Sequence, residues 1–91
     1  MTKEQKRVKL YEIYNDFLKS NDKIEQSKLW YKFIETLITE PYAININKKI
    51  FEINSDTVEQ YINNPNDKDN FFYLDELFKS LFLCFNENVN C

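Results

Sequence analysis

Along the chain, apolar residues recur mostly at steps of three and four, the spacing of one helical face. Thr2 and Gln5 have the spacing of a capping box, Thr-x-x-Gln. After them come Leu10, Tyr11, Ile13, Tyr14, Phe17 and Leu18, which predicts an amphipathic helix over about residues 3–20. Ser20-Asn21-Asp22 ends it, with Asn21 standing where a left-handed residue is needed. Asp22 and Glu25 open a second helix, whose stripe is Trp30, Phe33, Ile34, Leu37 and Ile38. Pro41 stops it, which places the helix at about 23–39.

The period then changes. In YAININKKIFEI, residues 42–53, Tyr42, Ile44 and Ile46 alternate with smaller or polar residues, and Phe51 and Ile53 alternate again. β-branched and aromatic residues at period two predict a short β-hairpin turning near Asn47-Lys48. Asp56 and Glu59 repeat the capping-box spacing and open a short helix over about 56–63 on Val58, Tyr61 and Ile62. NNPNDKDN, residues 63–70, is the clearest loop. Phe71, Leu74, Leu77, Phe78, Leu81, Phe82 and Phe85 give the strongest helical stripe, over about 70–86, with Phe72 and Tyr73 beside it. The tail, 87–91, reads as frayed. The expected fold is mainly α (α+β): four helices with a short hairpin between the second and third, in one domain spanning 1–91.

Composition narrows the functional classes. The chain has 91 residues and neither Gly nor His. At average usage, a chain of this length lacks Gly about once in a thousand, so the deficit is not chance. Phosphate-cradling loops and dinucleotide fingerprints require glycine. A Ser-His-Asp or Cys-His arrangement requires an imidazole. Neither exists here, and no cofactor is implied. Asn, Lys, Ile, Phe and Tyr carry A/T-rich codons, so the bias points to an A/T-rich bacterial, phage or mobile-element gene. Cys84 lies in an apolar run and Cys91 is seven residues on. They read as a buried small hydrophobe and an incidental tail thiol in a reducing cytoplasm. No run is long enough to span a membrane.

The net charge of −3 hides an asymmetry. Residues 1–32 hold eight Lys/Arg against five acids, and residues 33–91 hold four Lys against ten acids. Residues 54–78 carry Asp56, Glu59, Asp67, Asp69, Asp75 and Glu76 against Lys68 alone. Such a surface suits a basic protein partner, and Phe72 and Tyr73 beside it are candidate interface anchors. The carboxylate pairs do not fit acid–base catalysis, which needs an apolar pocket, and the loop lacks calcium-site spacing. At the other end, Lys3, Lys6, Arg7 and Lys9 form a candidate nucleic-acid contact. The acidic body weighs against free nucleic acid as the main ligand.

A short acidic chain rich in Asn, Lys and Ile, with the segment KSNDKIEQSKLWYKFIETLITEPY at residues 19–42, resembles anti-CRISPR proteins. The nearest likeness is to inhibitors of the type VI RNA-guided RNases. The resemblance implies an inhibitor from a phage or prophage, and the missing catalytic motifs favour a non-enzymatic one. It would act in the cytoplasm by binding a CRISPR effector nuclease, a basic nucleic-acid-processing protein. It transfers no residue role. Two other readings stay open: an immunity protein that neutralises a cognate toxin or bacteriocin, and a small nucleic-acid-binding regulator using the basic first helix. The apolar surplus of the last helix also allows a homodimer.

Overall fold

The computed structural model describes all residues, 1–91, as four helices in two compact units, Met1–Ala43 and Ile44–Cys91. In the first unit, α1 (Lys3–Lys19) and α2 (Lys23–Ile38) form a helical hairpin. Thr2 and Gln5 close the expected capping box: the Gln5 N–H donates to Thr2 Oγ1 at 3.1 Å, and the Thr2 N–H to Gln5 Oε1 at 2.9 Å. Asp22 caps α2 by accepting from the N–H groups of Ile24 and Glu25. The turn does not use a left-handed Asn21. Its capping residue is Ser20 at φ −73°, ψ 141°, and the Ser20 hydroxyl accepts from the Asp22 N–H.

The buried face of α1 is Lys6, Leu10, Ile13 and Phe17, and that of α2 is Gln26, Trp30, Phe33, Ile34 and Leu37. Both follow three- and four-residue steps. Burying a side chain of the Leu or Phe class stabilises by roughly 1.5–3 kcal/mol, so these faces hold the hairpin. Its two buried polar residues sit at opposite ends. Gln26 Nε2 donates to the Phe17 carbonyl near the end of α1. Lys6 Nζ donates to the carbonyls of Thr39 and Pro41 just beyond α2. Gln26 thus satisfies a carbonyl in the last turn of α1, which an α-helix leaves without an internal donor, and Lys6 satisfies two in the segment that leaves α2.

The second unit overturns the hairpin: it contains no strand. α3 runs from Lys48 to Asn63 and absorbs the second half of the segment expected to be β, along with the helix expected only at 56–63. Asn47 is not a turn residue but the N-cap, its Oδ1 accepting from the N–H groups of Lys49 and Ile50. The reason lies in a second period. Phe51, Ser55, Val58 and Ile62 are spaced four, three and four apart, and that longer helical stripe prevails over a brief alternation with no strong hairpin turn. Asp56 and Glu59 therefore fall inside α3 rather than at its start.

α4 extends from Lys68 to Glu87, two residues earlier than expected at its start, with Asp67 as N-cap. Its buried face is Leu74, Leu77, Phe78, Leu81, Phe82 and Phe85; α3 contributes Val58, Tyr61 and Ile62 to the core, and the preceding segment Ile44. Phe71, expected in that core, is exposed and meets the Tyr61 ring at 6.2 Å between centroids.

The tail is anchored rather than frayed. Asn88 takes the left-handed conformation that closes α4, at φ 57°, and the Val89 N–H donates to the Cys84 carbonyl. Cys84 and Cys91 are joined as a disulfide, which replaces the reading of two independent thiols. The Cys91 N–H donates to the Asn45 carbonyl at 2.9 Å, and the Asn47 N–H to the Cys91 carbonyl at 2.7 Å. These two bonds straddle Ile46 in the pattern of a parallel ladder.

Candidate protein-binding surface

The acidic candidates all lie in the second unit, where the structure divides them by role. Asp67 is spent on the helix start: its Oδ1 accepts the Asp69 N–H at 2.8 Å. Asp75 pairs with Lys79, one turn on, at 2.8 Å. Its hydrogen bond and charge hold the Lys79 ammonium above its usual range.

Asp69, Phe72, Tyr73 and Glu76 form a different group. They stand three, four and seven residues apart, so they share one face of α4. That face points away from the core stripe. Phe72 and Tyr73 are each 58% exposed. Their rings meet edge to face, 5.6 Å apart at 72°, a favourable aromatic geometry. Asp69 and Glu76 lie about one turn before and after Tyr73. The result is an apolar centre with a carboxylate at each end.

Asp56 and Glu59 are exposed on α3, three residues apart. With Gln60, Asn63, Asn64 and Asn70 they line a shallow polar groove. Asn70 braces one side of it by donating from Nδ2 to the carbonyls of Gln60 and Asn64. The groove offers carboxylates and amides, groups that accept from a cation or a peptide N–H. Phe71 adds a third exposed aromatic beside Phe72 and Tyr73. Its position on the apolar stripe predicted burial, but it stands in the first turn of α4, against Tyr61.

The basic candidates do not stay together. Lys6 is only 2% exposed and points at backbone carbonyls. Arg7 pairs with Glu4 on its own helix. Lys9 is exposed and Lys3 half-buried. Four cations at helical spacing thus leave no contiguous phosphate-binding row, because the innermost is committed to the fold.

No group of three or more His, Cys, Asp or Glu residues is placed to hold a metal ion. No helix is long and apolar enough to cross a membrane. Comparison with protein-family models, with curated proteins and with solved structures finds no match.

Proposed function

We propose that this chain is a protein-binding module that docks on a basic surface of its partner through the Asp69–Phe72–Tyr73–Glu76 face of α4. The observation that carries the reading is the adjacent exposed pair Phe72 and Tyr73, framed by carboxylates on the same face. Aromatic side chains at the centre of a patch with charge at its rim are the usual composition of a binding anchor. The excess of acid in residues 44–91, eight Asp/Glu against four Lys, would steer a basic partner toward that face.

The resemblance noted in the sequence makes the partner an RNA-guided RNase effector, with the chain acting as its non-enzymatic inhibitor. Proteins that handle RNA are basic where they hold it, and a module with this face would compete for that surface. The test is titration of the purified chain against a type VI effector, reading both binding and target-RNA cleavage. Saturable binding with loss of cleavage supports the reading. Phe72→Ala with Tyr73→Ala should weaken binding at least about thirtyfold, as for a hot-spot pair. Asp69→Lys with Glu76→Lys should weaken it further at low salt than at high salt. Binding that ignores all four changes removes this face as the contact. An effector that neither binds nor slows removes the effector as partner.

A further inference from the structure

We infer that the outer face of α2 is the interface of a symmetric, antiparallel homodimer. This inference concerns a different unit from the acidic–aromatic face and does not depend on it. Ile24, Tyr31 and Ile38 are spaced seven apart and are 69%, 59% and 48% exposed. Seven residues make almost two helical turns, so the three lie within about 20° of one another per step, on one line down the helix. The buried face of α2, with Gln26, Trp30, Phe33, Ile34 and Leu37, lies about 60° to 160° round the helix from Tyr31, on the side away from Lys28 and Glu35. The exposed line is therefore a second apolar seam on a helix whose first is already filled.

Charge selects the occupant. Lys28 and Glu35 are both exposed and lie on the same flank of the seam, about 60° and 40° round the helix from Tyr31. Lys28 is about 4.5 Å before Tyr31 along the axis, and Glu35 about 6 Å after it. A two-fold axis through Tyr31, perpendicular to the helix, reverses the second copy while keeping that flank on the same side. Lys28 of each copy then falls beside Glu35 of the other, twice. The same operation sets Ile24 against Ile38 at both ends and Tyr31 against Tyr31 at the centre. A parallel pair puts the two flanks on opposite sides and loses both ion pairs. Self-complementarity of this kind is what an isologous contact requires, and flanking charges set orientation in paired helices. Lys32 lies about 100° round from Tyr31, outside the contact strip.

A contact made by one 16-residue helix from each copy is small beside stable interfaces, so association depends on concentration. Sedimentation equilibrium from micromolar to millimolar chain should show the mass rising from 11.1 kDa toward twice that value. Tyr31→Lys should hold it at the monomer value. Lys28→Glu should weaken dimerisation about tenfold by setting like charges together twice. Lys28→Glu combined with Glu35→Lys should restore it, because the pairs re-form with their signs exchanged. All three positions are exposed, and circular dichroism confirms that each variant keeps its helices. A constant 11.1 kDa mass at every concentration overturns the inference. So does self-association indifferent to Tyr31→Lys and Lys28→Glu, which would put the contact elsewhere. Failure of the double variant to recover what the single loses overturns the antiparallel register.

Discussion

The ammonium nitrogen of Lys6 lies 2.6 Å from the carbonyl oxygen of Thr39, thirty-three residues away. It makes a second bond of the same length to the Pro41 carbonyl. A lysine on the buried face of α1 is therefore a cap for the chain leaving α2. Replacing it with Met, of similar length but without a donor, strands both carbonyls. The expected loss is about 1–3 kcal/mol, read as a lower urea midpoint with an unchanged slope. An unchanged midpoint would mean that water serves those carbonyls equally well.

The same residue gives the stability an alkaline component. Burial lowers the Lys6 pKa from its ordinary 10.5, with Glu40 opposing the shift and Lys9 adding to it. Between the lowered value and 10.5, the unfolded chain binds more protons than the folded one, so Lys6 makes stability rise with pH in that window. The neutral amine still has two N–H groups for its two carbonyls. Lys79, raised by Asp75, acts in the opposite sense and loses its contribution as pH rises. The two are separated by difference: from pH 8 to 10.5, the native chain should gain stability relative to Lys6→Met. A parallel pair of pH profiles would deny Lys6 that role.

Asn47 distinguishes a helix start from a hairpin turn. As an N-cap accepting from Lys49 and Ile50, it should lose about 1 kcal/mol on change to Ala and only a few tenths on change to Gly. A hairpin turn at Asn47-Lys48 would instead make Asn47→Gly neutral or stabilising. Chemical denaturation of the two variants decides between these outcomes.

Phe72 and Phe78 are six residues apart on one helix but should behave oppositely. Phe78 is 1% exposed, so Phe78→Ala should destabilise by about 3–5 kcal/mol. Phe72→Ala and Tyr73→Ala should stay within about 0.5 kcal/mol of the native chain. Thermal melts check this, and the result shows whether the aromatic face can be altered for binding work without disturbing the fold.

The disulfide holds the tail on the segment before α3. In the chain-entropy description, a loop closed between residues 84 and 91 contributes up to about 2.5 kcal/mol. Cys91→Ser should lower stability by at most that amount. It should also speed amide exchange at Asn47, whose N–H donates to the Cys91 carbonyl. Exchange at Leu10 and Leu37, in the other unit, gives the reference. Equal protection of Asn47 in both forms would show that the two backbone bonds hold without the covalent link.

Much of the helical frame was legible because it is written in short-range spacing. Thr2, Gln5 and Asp22 cap where their spacing says, and the α1 and α2 bounds fall within one residue of expectation. Residues 42–53 were not legible, since Lys48 to Ile53 fits both periods and only the longer stripe through Ile62 separates them. Nor was the tail, because the pairing of Cys91 with Asn45 and Asn47 joins residues more than forty apart. The candidate surface was read in part. Phe72 and Tyr73 stood off the apolar stripe and are exposed, whereas Asp67, Asp75 and Lys6 carry the right chemistry but are engaged within the fold. Local spacing shows which residues can reach a face; it does not show which ones the chain has already used.

The bonds between Cys91 and the segment at Asn45–Asn47 place the first and last residues of the second unit side by side. Topologically, α3, the turn at 64–67 and α4 form a nearly closed ring. In a chain of residues 44–91 alone, a short linker from residue 91 to residue 44, with an opening at Asn66, would reverse the order of α3 and α4 while keeping the neighbours within that unit. The α3–α4 hairpin is thus a candidate for circular permutation, and its connectivity can be changed independently of its packing.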